Sequence, residues 1–97
     1  MGRSSIYKPK TTAHLSYFPM INTNATGKRI RELRKQHGLK VKEVQELLGL
    51  STDQAVYKWE SGSSMPTIDN LVVLSRVLQT KIDDILVIQD VWISKAG

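Results

Sequence analysis

The sequence predicts an all-α domain of five helices with an extended N-terminal arm and a short C-terminal tail, and three observations predict it. Apolar residues recur at helical spacing in successive segments from Ile30 onward. Gly38, Gly49 and Gly62 fall where those segments must stop. Pro9 and Pro19 interrupt an opening stretch that has no helical period. At 97 residues the chain has room for one globular unit and trailing termini, since single domains commonly run to about 100 to 150 residues. The expected organisation is an arm over 1–24, extended or partly disordered with one short strand, a helical domain over 25–87, and a tail over 88–97 that serves as a dimerisation element.

Each helix has its own signal. From about Ala25 to His37, Ile30 and Leu33 mark a narrow buried stripe between Lys28, Arg29, Arg31, Arg34 and Lys35, and Gly38 supplies the stop. In the second helix Val41, Val44, Leu47 and Leu48 repeat at helical spacing before Gly49, but Lys40 stands where a Ser or Thr cap is wanted, so the start is weakly specified. Gly49 is read as the left-handed residue that ends it. The third helix then begins at Thr52, with Ser51 as N-cap and Gln54 at the third helical position, a capping-box pattern, and it ends at Ser61-Gly62. The fourth starts at Pro66 or Thr67 and turns Ile68, Leu71, Leu74, Ser75 and Leu78 inward. A short fifth helix runs from about Ile82 to Val87 and contributes Ile82, Ile85 and Leu86.

Composition narrows the class. A chain that is 40% hydrophobic and 24% charged is ordinary for a soluble globular protein, and its apolar runs fall far short of the roughly 18 residues a membrane span needs. MGRSSIYKPK has no apolar stretch behind its basic residues and no cleavage site, so it is not a secretory signal. The absence of Cys removes disulfides and thiolate metal sites. A cytoplasmic location without a membrane partner is expected. His14 and His37 are isolated, and no metal-ligand spacing, Gly-rich phosphate loop or nucleophile elbow occurs. Neither catalysis nor a cofactor is expected. The net charge is +5, and it is unevenly spread: residues 26–65 hold eight basic against five acidic residues, whereas 66–97 hold three against four. The excess sits around the third helix, where it attracts polyanions.

That helix divides cleanly. Ala55, Val56 and Trp59 share one face, while Asp53, Gln54, Tyr57 and Lys58 point outward or flank it. A short helix that shows hydrogen-bonding groups on its wet side, joined by a tight turn to the helix before it, has the form of a DNA-reading unit. The ordered blocks RIRELRKQHGL, LLGLS, YKWESG, MPTIDNLVVLSRVL and KIDDIL resemble the phage repressor and Cro family of helix-turn-helix domains, also called the xenobiotic-response-element type, over roughly Thr26 to Val87. The resemblance implies a five-helix lambda-repressor-like fold and a bacterial or phage transcription regulator, a repressor. It would act as a homodimer on double-stranded DNA, with the third helix in the major groove.

Carried over by motif, the resemblance places base reading on Thr52, Asp53, Gln54, Tyr57 and Lys58. Gln54 can bond an adenine edge and Lys58 can donate to guanine, although Gln54 can equally fold back as a capping residue. Asp53 suits the positive helix end but repels phosphates. Phosphate contacts fall to Lys40, Lys42 and Ser51, and to Ser63 and Ser64 through hydroxyl or main-chain donors. Arg34 and Glu60 match a structural ion pair of the family. The chain also departs from the pattern. The stretch from the second helix to Trp59 is one residue longer, which calls for a looser turn. Gln45 replaces a small residue between the second and third helices, and Gln79 stands where Gly often follows the fourth.

A rival from another class is a protein-binding adaptor or antitoxin-type module that holds a partner protein with its termini. Tyr17, Phe18, Met20 and Ile21 at one end and Val91, Trp92 and Ile93 at the other exceed what a bare reading head requires. The preferred expectation is that they close the core or build a homodimer by pairing short strands.

Overall fold

The computed structural model describes residues 17–92, in the order β1 (Tyr17–Ile21), α1 (Thr23–Gln36), α2 (Val41–Leu48), α3 (Gln54–Ser61), α4 (Ile68–Val77), α5 (Ile82–Ile85) and β2 (Ile88–Trp92). Ile93 lies outside the described residues. All five helices meet in one core of Ile30, Leu33, Val41, Val44, Val56, Trp59, Leu74, Leu78 and Ile85. Burial of each such side chain stabilises the fold by roughly 1.5 to 3 kcal/mol relative to exposure.

Four helices close in the same way. After α1, α2, α3 and α4 the amides of Leu39, Leu50, Ser63 and Thr80 return to the carbonyls of Arg34, Gln45, Lys58 and Ser75, at 2.9–3.0 Å. This is the Schellman closure, which needs a left-handed residue just before the returning amide. Gly38, Gly49 and Gly62 fill that position at φ 67°, 69° and 81°, and Gln79 fills it at φ 52°. Thus Gln79 adopts the backbone shape of the missing glycine and bears the strain of a Cβ there.

Helix starts differ more from the sequence-based expectation. Helix α1 begins two residues before Ala25, because Asn22 caps it by accepting from the amide of Ala25 at 2.9 Å. The start of α2 is not left open by Lys40. The Glu43 carboxylate reaches back to the Lys40 amide at 2.7 Å and supplies the reverse half of a capping box. Thr67 caps α4 through Asn70, so Ile68 is its first residue. Ile68 is 80% exposed. The inward stripe of α4 runs Leu71, Leu74, Ser75 and Leu78, and Ile68 overhangs its open end instead of belonging to it. Helix α5 stops at Ile85, after which Leu86 turns extended at φ −77° and ψ 130°.

The two strands pair with each other. Antiparallel β1 and β2 set Tyr17 opposite Trp92, Phe18 opposite Val91, Pro19 opposite Asp90, Met20 opposite Gln89 and Ile21 opposite Ile88. They do not close the core, since Phe18, Met20, Ile21, Ile88 and Val91 all stay exposed. Helix α1 ties this ribbon to the body. The Asn22 amide donates to the carbonyl of Val87 at 2.8 Å, the Val87 amide donates to the buried Thr26 hydroxyl at 2.9 Å, and Asn22 Nδ2 donates to Gln89 Oε1 at 2.8 Å. Arg29 also donates to the carbonyl of Asp84.

Candidate nucleic-acid interface

Helix α3 is held from behind by α1 at backbone distance. A Cβ on Gly27 would lie 2.6 Å from the carbonyl oxygen of Glu60 and closer still to that of Trp59. Only glycine permits this approach. With Val56 and Trp59 buried, the opposite side of α3 carries exposed Gln54, Tyr57, Lys58 and Ser61.

The ion pair between α1 and α3 fixes the same junction. Arg34 Nε donates to Glu60 Oε2 at 2.6 Å and Nη2 to Oε1 at 3.0 Å, a two-pronged contact between side chains only 11% and 8% exposed. Nη1 donates to the carbonyl of Leu39 at 2.9 Å, which bonds the pair to the turn after α1. The hydrogen bond to Glu60 raises the Arg34 guanidinium above its ordinary pKa by more than burial lowers it, and the Glu60 charge adds to the rise. Arginine therefore stays charged throughout the accessible pH range.

The turn from α2 to α3 overturns the expected cap. Helix α3 starts at Gln54, not Thr52, and Ser51 is not its N-cap. Ser51, Thr52 and Asp53 form an irregular turn. The Thr52 hydroxyl accepts from the Gln54 amide at 3.3 Å, and the first helical bond runs from the Tyr57 amide to the carbonyl of Asp53 at 3.3 Å. The helix thus begins two residues later than expected, about half a turn, so Gln54 is its first residue and cannot be the third position of a capping box. Among the described residues its side chain has no hydrogen-bond partner, and it stands exposed. Gln45 finds a use in the same turn, donating through Nε2 to the carbonyl of Leu50 at 3.1 Å.

The remaining candidates are scattered over three elements. Thr52 and Ser51 are exposed in the turn, and Asp53 is half-buried beneath the helix start. Lys40 and Lys42 stand exposed at the opening of α2. Ser63 and Ser64 have already committed their amides to the carbonyl of Lys58, at 3.0 and 3.3 Å. Main-chain donation to a ligand from these two residues is therefore excluded, and only their hydroxyls remain. The Ser63 hydroxyl also leans on the Lys58 carbonyl, at 3.3 Å.

Tyr57, one turn from Gln54 on the same exposed side, also borders α1. It lines a cleft of about 340 Å³ between α1 and α3, together with Arg31, Arg34, Glu60 and Ser61. Glu60 neutralises Arg34, but Arg31 is exposed and in no ion pair among the described residues. The sequence-based site omitted Arg31. Its signal was the spacing of Lys28, Arg31 and Lys35, which places three cations along the exposed side of α1.

A helix-turn-helix family model matches residues 30–85, more than half of the chain. This chain belongs to the helix-turn-helix family. The matched span runs from the first core residue of α1 to the last of α5 and leaves the strand pair outside. Among helix-turn-helix proteins, the uncharacterized transcriptional regulator YobD of Bacillus subtilis strain 168 is 34% identical over 62 residues, which cover 64% of this chain and 54% of that protein. The chain thus spans about half the length of the curated relative it matches. The restriction-modification controller protein C.AhdI from Aeromonas hydrophila superposes with a TM-score of 0.61 at 26% identity, covering 66% of this chain and 96% of that one. The P22 c2 repressor, solved in complex with a synthetic operator, superposes with a TM-score of 0.60 at 31% identity over 63% of this chain and 91% of the repressor. Among the described residues no helix is long and apolar enough to cross a membrane.

Proposed function

We propose that this protein is a transcriptional regulator that binds specific double-stranded DNA as a dimer in the cytoplasm, reading the major groove with α3. The observation that carries the reading is the division of α3. One side is locked to α1 by Gly27 and the Arg34–Glu60 pair, and the other presents Gln54 and Lys58, exposed and with side chains that have no hydrogen-bond partner among the described residues. The operator complex of the P22 c2 repressor supports it by likeness.

Within that reading Gln54 and Lys58 are the principal base contacts, with Thr52 and Asp53 beside them at the groove floor. Tyr57 and Arg31 face a phosphate from the cleft between α1 and α3. Lys40, Lys42, Ser51 and the hydroxyls of Ser63 and Ser64 supply further backbone contacts, which position the protein without reading sequence. Such a protein acts by occupancy and performs no chemistry.

Selection of bound sites from a random duplex pool tests the proposal. A common sequence with two related halves is expected. A pool that emerges without any shared motif would refute specific recognition. The exposed apolar ribbon favours a protein partner as well.

A further inference from the structure

The ribbon of β1 and β2 is the one part of the described chain that its own fold leaves unfinished. Isolated two-stranded ribbons are marginal in water, and a third strand or a covering helix is normally needed. Among the described residues no helix covers either face: Phe18, Met20 and Ile88 are 50%, 52% and 53% exposed, with Val91 beside the first two and Ile21 beside the third. Asp90 is the single charge among the ten paired residues.

The two edges of the ribbon are not equivalent. Pro19 is opposite Asp90, and a pair that exchanged both main-chain bonds would need an N–H on Pro19. The main-chain groups of this pair therefore point away from the ribbon. On the β1 side that outward position lacks a donor, as is usual for a proline on an exposed edge. On the β2 side the outward row of Ile88, Asp90 and Trp92 keeps every donor and acceptor. One edge is blunted and the other is competent.

We infer that the free edge of β2 pairs antiparallel with the β2 edge of a second copy, giving a four-stranded sheet in the order β1-β2-β2-β1 across a two-fold axis. A second copy fits better than an unrelated strand for a geometric reason. Pairing like with like leaves the two Pro19 edges outermost, and these stop further growth, so the assembly closes at two. The apolar side chains on both faces then become continuous across the axis. Asp90 of each copy comes opposite or diagonal to the other, the one unfavourable feature of the junction.

This inference rests on the dimer part of the reading above and is tested on the full chain without DNA, so its failure leaves the role of α3 untouched. Sedimentation of the wild type should show a concentration-dependent monomer–dimer equilibrium with nothing larger. Asp90→Pro removes the central outward donor while leaving the Pro19–Asp90 pair unbonded as before, and should abolish the dimer at unchanged helical circular dichroism. Asp90→Asn should tighten it about twofold to fivefold by removing facing charges. Pro19→Val should restore a donor to the outer edge and produce species larger than the dimer. A wild type that stays monomeric at all concentrations, or a dimer indifferent to both Asp90 changes, would overturn the inference. The first of those results would point to an unrelated protein as the occupant.

Discussion

Helix α3 and the strand ribbon both remain open to solvent, and they do so with opposite chemistry. The outer side of α3 shows Gln54, Lys58 and Ser61 on a helix whose back is fixed by a glycine contact and a buried ion pair. The ribbon shows Phe18, Met20, Ile21, Ile88 and Val91 on two strands that, among the described residues, are tied to the body near Asn22 and Val87. A rigid polar surface loses little on meeting hydrated base edges, whereas an apolar edge gains most by leaving water altogether. One surface is suited to nucleic acid and the other to protein, and each can be disturbed without the other.

The largest effect should come from the support of α3. Arg34→Ala leaves the Glu60 carboxylate buried without its partner and should cost about 3 to 5 kcal/mol in urea unfolding. Because the Arg34 pKa is raised, the stability it contributes is fully present below the ordinary arginine range and is lost only as pH rises through that higher value. The wild-type pair itself should therefore add no pH dependence near neutrality. Replacing both Arg34 and Glu60 by apolar residues should recover much of the loss, and a double substitution as damaging as Arg34→Ala would contradict this account of the pair.

Gly27→Ala comes next. Its new methyl group meets the carbonyls of Trp59 and Glu60 and should push α3 off α1, at a cost of about 1 to 3 kcal/mol. Weakened binding of the duplex should accompany the lowered melting temperature. Asn22→Ala acts on the ribbon instead. Loss of the cap should cost about 1 kcal/mol, and faster hydrogen exchange at Met20 and Gln89, with α3 unchanged, would separate the two regions.

The smallest effect should be a gain. Gln79→Gly removes a Cβ from the left-handed position after α4 and should stabilise the protein by up to about 1 kcal/mol, net of the greater freedom of glycine in the unfolded chain. As Gln79 touches neither exposed surface, duplex affinity and dimerisation should both stay as they are.

Much of the helical framework could be read from the residues, because it rests on local rules. Apolar spacing located the buried face of α3 at Val56 and Trp59, and Gly38, Gly49 and Gly62 fell at left-handed positions because few other residues accept them. Helix starts were read less well. Ser51 had the right chemistry for a cap, but Ser51, Thr52 and Asp53 form an irregular turn and the helix starts only at Gln54. At α2 the start signal lies not in Lys40, which fails as a cap, but in Glu43 three residues on, whose carboxylate reaches back to the Lys40 amide. The contacts of Asn22 and Thr26 with Val87, and the pairing of strands from opposite ends of the chain, depend on residues more than sixty positions apart. At the candidate site, the spacing on α1 marks Arg31 as an exposed cation, but that it and not Arg34 is left without an ion pair among the described residues depends on the long-range contact of Arg34 with Glu60.

The central claim is that the wet side of α3 reads base edges, and one titration tests it most directly. Wild type, Gln54→Ala and Lys58→Ala would each be titrated against the selected duplex and a scrambled one over a range of salt concentrations. Wild-type affinity should fall steeply with salt. Each substitution should reduce discrimination between the duplexes by about 1 to 3 kcal/mol while leaving scrambled-duplex binding nearly unchanged. No association at low salt, or an equal loss on both duplexes, would contradict the claim.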